Sequence, residues 1–294
     1  MKKIVYLFSC LIITLFFILH YSDLNDKILF KLSSQKDSLI NKDNFQAKHI
    51  EINEIKKNLS GITYNDKTDT LFAITNSPRD IYELDKQGNI LRVIDLKGFN
   101  DTEDLTYIKD DLFAVLDEEH SAFYVVKIGK DTNLIDISES IKTFSLDLRN
   151  FENFGLEGIS YDRFTDTFYL VNEKLPKKIV TVQGFMNNDL IRIEEKKELL
   201  NNNYYLGDFS AIHFDEYKNR FYILSDESRL LARVDNKIDF KKYLDLEKFK
   251  GLNKMIRPEG FTKDSDENFY IVGEPNIFLS ITNKENNEKK DKQD

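Results

Sequence analysis

The chain has 294 residues, 41% of them hydrophobic and 32% charged, enough to bury one sizeable core. Its formal charge of -9 argues against nucleic acid as a partner and leaves cations and basic surfaces open. Cys10 is the one cysteine, which excludes an intrachain disulfide, and the 23 Phe and 14 Tyr favour strands, whose half-buried pleats accommodate aromatic rings.

The chain opens on Lys2 and Lys3, followed by an uncharged run from Ile4 to Tyr21. As a helix rising about 1.5 Å per residue that run spans roughly 27 Å, close to the hydrocarbon core of a bilayer. No small-x-small cleavage site follows Leu19, and the apolar run continues beyond Cys10, where a lipoprotein signal would end. The expectation is an uncleaved single-pass anchor over residues 1–21 in the cell membrane, with the rest of the chain on the extracytoplasmic side. Residues 22–44 are polar and read as a juxtamembrane stalk, and 283–294 (NKENNEKKDKQD) as a disordered tail.

Between these ends, over residues 45–282, the sequence repeats itself. The copies open with Leu59-Ser60-Gly61-Ile62-Thr63-Tyr64, Thr102-Glu103-Asp104-Leu105-Thr106-Tyr107, Leu156-Glu157-Gly158-Ile159-Ser160-Tyr161, Phe209-Ser210-Ala211-Ile212-His213-Phe214 and Pro258-Glu259-Gly260-Phe261-Thr262. Each continues through a polar turn into a second apolar run, such as Leu71–Asn76 or Phe221–Asp226. The period is about 50 residues, within the range of propeller blades. The first copy adds Ile81–Leu84 and Ile90–Ile94, split by Lys86-Gln87-Gly88-Asn89, making four short strands. The last copy is short of a strand, while Ala47–Ile52 stands alone before the first. The pattern predicts an all-β, five-bladed propeller, with six blades as the alternative, in which the N-terminal strand completes the last blade and covers its edge.

The openings Leu-Ser-Gly-Ile-Thr-Tyr and Leu-Glu-Gly-Ile-Ser-Tyr, with Leu-Ser-Asp-Glu-Ser-Arg at 224–229 and Pro-Glu-Gly at 258–260, resemble those of bacterial SdiA-regulated proteins. That group includes a calcium-regulated propeller. The resemblance spans roughly residues 45–282 and implies an N-terminally anchored propeller; it says little about reaction chemistry.

Aligned copies place Ser60, Glu103, Glu157, Ser210 and Glu259 near the start of each first strand, and Ser77, Glu118, Glu173, Glu227 and Glu274 at the end of each second strand. Adjacent strands in a blade are antiparallel, so both rows belong at one mouth of the channel. Seven carboxylates should gather there, with Asn76, Asp117, Asn172 and Asp226 supplying further oxygens. Clustered carboxylates raise one another's pKa or recruit a cation, and oxygen donors without Cys or clustered His suit Ca²⁺ or Mg²⁺. A purely structural role, with each Glu accepting backbone amides, is the competing reading. Arg79, His120, Arg229 and Asn276 follow the second row at a constant offset, and Lys174 and Arg257 lie close by, as a rim that holds an anionic ligand or closes salt bridges. His213 alternates with core residues and is expected to be packed.

There is no Gly-x-Ser-x-Gly, His-Glu-x-x-His or phosphate-binding loop. Two functions follow: a calcium-binding propeller that recognises a small ligand or envelope protein as a binding or sensing module, or a calcium-dependent hydrolase of the phytase or lactonase kind.

Overall fold

The computed structural model describes residues 6, 8–14, 32, 39–40, 44–146, 155–173, 177–188, 190–196, 206–235, 239–248 and 257–284. Its strands form five separate sheets arranged as a closed ring, so the chain is a five-bladed propeller. Blade 1 holds β2 (Leu59–Asn65), β3 (Thr70–Thr75), β4 (Asp80–Leu84) and β5 (Ile90–Lys97). Blade 2 holds β6 (Thr102–Lys109), β7 (Leu112–Asp117), β8 (Ala122–Lys127) and β10 (Lys142–Ser145). A short strand, β9 (Leu134–Asp136), leaves blade 2 to pair in parallel with β5 at the outer edge of blade 1. Blade 3 is β11 (Leu156–Asp162), β12 (Thr167–Asn172), β13 (Lys178–Gln183) and β14 (Arg192–Glu195). Blade 4 is β15 (Ala211–Asp215), β16 (Arg220–Ser225), β17 (Leu230–Asp235) and β18 (Asp239–Asp245).

Blade 5 supplies β19 (Arg257–Lys263), β20 (Phe269–Glu274) and β21 (Ile277–Asn283), and its outer strand is β1 (Phe45–Glu51). The β1–β21 ladder runs in register from Phe45 against Asn283 to Glu51 against Ile277. The two ends of the domain are therefore held in one sheet, and the edge that blade 5 would expose is paired. Asn276 adds a clamp: its Nδ2 donates to the carbonyls of Ile52 and Ile55, at 3.0 and 2.9 Å.

Near-continuous apolar runs in the inner strands follow from the architecture. Blades stack face to face, so both faces of a middle strand are buried. In β3, Phe72 and Ile74 enter the cluster between blades 1 and 2, with Leu105, Phe113 and Val115. Their neighbours Leu71 and Ala73 enter the cluster between blades 5 and 1, with Tyr270 and Phe278. Three further clusters fill the remaining junctions, so the core is five wedges between blades and no single central mass.

Two expected boundaries shift. Leu39 and Ile40, assigned to the stalk, pack onto the domain: Ile40 joins the core between blades 4 and 5, and the Leu39 amide donates to the Tyr243 carbonyl at 3.0 Å. Asn283, assigned to the tail, is paired in β21, and residues 285–294 lie outside the described residues. Residues 8–14 are helical, and most of the expected 1–21 anchor lies outside the described residues. Among those described, no helix is long and apolar enough to cross a membrane.

Candidate functional site

The acidic mouth is built by a defect repeated from blade to blade. Leu59 pairs with Thr75 and Gly61 with Ile74, leaving Ser60 unopposed; Glu103, Glu157 and Glu259 are unopposed in the same way in blades 2, 3 and 5. Such a bulge removes one residue from the ladder and re-aims its side chain. The residue after it is small in most blades because inner strands approach closely: a Cβ on Gly158 would lie 3.1 Å from Ala211 Cα, and one on Gly260 would lie 2.8 Å from the Ser60 carbonyl oxygen.

Blade 2 is the exception, with Asp104 at that position. This buried carboxylate accepts the amides of Leu105 at 2.8 Å and Ile159 at 2.9 Å, and so joins the inner strands of blades 2 and 3. Burial pushes its pKa well up, opposed by amide bonds from Ile159, Leu105 and Ile62.

Two of the carboxylates expected at the mouth, Glu103 and Glu118, meet there together with Asp101. Oxygens of Asp101, Glu103 and Glu118 all lie within 4.8 Å of one another. Oxygens that share one Ca²⁺ at about 2.4 Å can be no more than about 4.8 Å apart, so this donor set fits a hard cation. Asn76 Nδ2 donates to Asp101 Oδ1 at 3.2 Å and Glu103 Oε1 at 3.1 Å, while Asn58 Nδ2 donates to Asn76 Oδ1 at 2.6 Å. The Gly155 amide donates to Glu118 Oε1 at 3.0 Å. Burial raises the Glu103 pKa well above the ordinary range and the Asp101 charge adds to it, against the Asn76 hydrogen bond.

Glu157 is the centre of the set. Burial lifts its pKa first, and then the charges of Glu103, Glu118, Glu173 and Glu259 do. Glu259 is pushed up to about 8 by burial, then by Asp226, Glu274 and Asp208, with Arg257 opposing. Asp208 rises to about 7 through burial and the charges of Glu227 and Asp226, although Ser225 Oγ donates to it at 2.5 Å and the Glu227 amide at 3.1 Å. All seven expected glutamates are thus linked in one electrostatic set. Blade 1 contributes Asn58, Ser60 and Asn76 instead of carboxylates.

Asp101 and Asp208 were not anticipated. They occupy a third row, two residues before each bulge: Asn58, Asp101, Gly155, Asp208 and Arg257. The same alignment carries that signal, but it falls before the apolar run that marks the repeat.

Residues beside the second row serve several ends. Asp117 is fully buried and accepts the amides of Asn100 and His120, at 2.8 and 3.0 Å, so it organises a turn. His120 Nδ1 faces Asp117 Oδ2 at 3.3 Å and its Nε2 meets Asn100 Nδ2 at 3.1 Å. Arg79 Nη1 donates to the Asn100 carbonyl at 3.1 Å, and Arg229 Nη1 lies 3.8 Å from Asp226 Oδ1. Arg79 and His120 therefore converge on one loop, Asn276 is engaged with backbone, and Lys174 lies outside the described residues.

A second concavity opens at the other end of the channel. It encloses about 430 Å³ and is lined by the ends of the inner strands and the hairpins that follow them, including Tyr64, Tyr107, Tyr161, Arg163, His213 and Lys263. His213 lines this cavity while its ring packs edge-on against Phe261, centres 5.6 Å apart; burial and then Lys263 lower its pKa to about 4, so its imidazole is neutral at physiological pH.

The fold is shared with solved structures. A luciferin-regenerating enzyme is similar over 81% of this chain and 96% of its own, at 9% identity and a TM-score of 0.50. A streptogramin B lyase is similar over 82% of this chain and 98% of its own, at 9% identity and a TM-score of 0.48. At such identity the likeness concerns architecture alone. The sequence model of the SdiA-regulated family matches residues 37–282, from the docked Leu39 and Ile40 to the end of the last strand, and the chain belongs to the SdiA-regulated family.

Proposed function

We propose that the protein is a membrane-anchored, extracytoplasmic propeller that binds a divalent cation of the calcium class at its acidic mouth and acts as a binding or sensing module. The observation that carries this reading is Glu157: four other carboxylates bear on it from three blades, and among the described residues it has no hydrogen bond or ion pair of its own. Like charges held this way in a channel are stabilised by a cation. Asp101, Glu103 and Glu118, with Asn76 behind them, form the group best spaced to hold it. Anchorage rests on the apolar run from Ile4 to Tyr21. Calcium titration by calorimetry on the full-length protein, repeated with Glu157→Gln, tests the reading. Saturable binding that the substitution weakens supports it, and an absence of binding heat at millimolar calcium refutes it.

A calcium-dependent hydrolase, phytase-like or lactonase-like, is the second reading, favoured by the amide of Asn76 standing among the carboxylates beside an open channel. There the cation would polarise a substrate phosphoryl or carbonyl oxygen. Calcium-dependent release of phosphate or opening of a lactone, abolished by Glu103→Gln, would select it over the binding module.

A further inference from the structure

The cavity at the opposite end of the channel has no part in the cation reading. Its walls are the hairpins between first and second strands, stiffened in the same way in blade after blade. Asn65, Asp162, Asp215 and Asp264 each accept an amide two or three residues on, and Asp69, Asp166, Asn219 and Glu267 take positive φ near 51–65°. A rigid wall holds a pocket open before any ligand arrives. Its 430 Å³ falls within the ~300–1,000 Å³ of small-molecule sites.

Each basic residue lining this pocket is already held by carboxylates. Arg163 of blade 3 reaches Asp66 of blade 1 at 2.8 Å and Glu216 of blade 4 at 2.6 Å. Lys263 meets Asp215 at 2.7 Å and also pairs with Glu267, to which Lys218 adds a bond at 2.6 Å. An incoming anion would have to draw Arg163 or Lys263 away from carboxylates that are themselves partly or fully buried, leaving a charge uncompensated. Two of the aromatic faces are already covered by cations. Lys86 lies 5.5 Å from the centre of the Tyr64 ring and Arg163 lies 5.7 Å from that of Tyr107.

What the pocket still offers is neutral. One residue from each inner strand lines it: Thr63, Thr106, Ser160, His213 and Thr262. Thr63, Ser160 and Thr262 accept the amides of Tyr107, Phe214 and Tyr64 from the next blade, at 3.1, 2.9 and 3.2 Å, which leaves each hydroxyl proton to donate. Tyr161 and Tyr217 add aromatic surface, which an exposed edge-to-face pair extends past the lip: Phe164, 65% exposed, and Tyr217, 74% exposed, with ring centres 5.6 Å apart.

We propose that this pocket binds an uncharged, hydroxyl-rich ring compound, a saccharide of one or two units. Its ring hydroxyls exchange hydrogen bonds with the threonine and serine row, and its C–H face lies on the tyrosines. The site is independent of the acidic mouth, from which it is separated by the length of the inner strands.

Saturation-transfer NMR on the full-length protein, in a detergent without a sugar headgroup, tests this with cellobiose and maltose. Inositol hexakisphosphate and choline serve as charged comparators. The expected result is saturation of ring C–H protons of at least one disaccharide, with affinity falling about tenfold in Tyr217→Ala and in Phe164→Ala. Both side chains are exposed, so these variants should keep the wild-type melting temperature, and Glu157→Gln should bind the disaccharide unchanged. No saturation of either disaccharide at millimolar concentration overturns the proposal, as does stronger binding of either charged comparator. Loss of disaccharide binding in Glu157→Gln also overturns it, by moving the site to the acidic mouth.

Discussion

The two ends of the channel are made from the same five strands and solve opposite electrostatic problems. At the start of the inner strands, Glu103, Glu157 and Glu259 face the charges of further carboxylates, with Arg257 beside Glu259 and Arg229 beside Asp226. At the far end, Arg163, Lys218 and Lys263 pair with Asp66, Asp215, Glu216 and Glu267 across three or more blades. The difference supports the reading that the acidic mouth takes up something from solution. Cations that are each held by carboxylates need little from solution, whereas clustered like charges are relieved by protons or by a cation.

The largest effect expected is one that removes both mouths together. Deleting residues 45–51 strips the partner from β21 and opens the edge of blade 5, so the product should aggregate or show no cooperative melt. A stable monomer after this deletion would break the ring-closure account.

Adjacent residues sharpen the comparison next. Asp104→Ala removes the acceptor of the Ile159 and Leu105 amides, a loss of about 1–3 kcal/mol for each amide left bare. Its melting temperature should fall by about 2–4 °C per kcal/mol while the upward shift on adding calcium persists. Glu103→Gln should do the reverse, keeping or raising metal-free stability and losing much of the calcium shift. Equal behaviour of the two variants would mean that the mouth carboxylates are structural.

Proton linkage gives a smaller effect of defined sign. The folded-state pKa values of Glu259 and Asp208, about 8 and about 7, lie above those of an unfolded chain. The folded state therefore binds more protons between about pH 4 and 8, and its stability falls as pH rises through that window. In chelator the melting temperature should drop from pH 5 to pH 8, and saturating calcium should flatten or reverse the slope. The smallest effect belongs to the far mouth, where Tyr217→Ala should leave both melting temperature and calcium response unchanged.

Much of this was legible in the sequence. The period of about 50 residues, the four-strand repeat and the orphan strand at 47–52 point to five blades, with six left open, and to closure, because each strand keeps its apolar residues in step with the wedge it fills. The two glutamate rows were legible for the same reason: bulge and strand end recur at fixed offsets from the apolar run. Asp101 and Asp208 were missed because they precede the run and alternate with Asn58, Gly155 and Arg257, so the row shows no chemical identity until the mouth is assembled. The far pocket was hidden more deeply. Its pairs, such as Arg163 with Asp66, join residues about a hundred positions apart on hairpins whose acids read simply as turn formers. His213 is packed as its alternation along β15 suggests, but alternation does not reveal that it also borders the channel.

The central claim is that the acidic mouth binds a divalent cation, and a thermal melt of the full-length protein at neutral pH, in chelator and across a calcium series, tests it most directly. Calcium at a hundredfold excess over its Kd should stabilise the fold by about 2.7 kcal/mol, or roughly 5–11 °C at this size. Glu157→Gln should lose most of that shift. A wild-type melting temperature that is the same in chelator and in millimolar calcium would contradict the account.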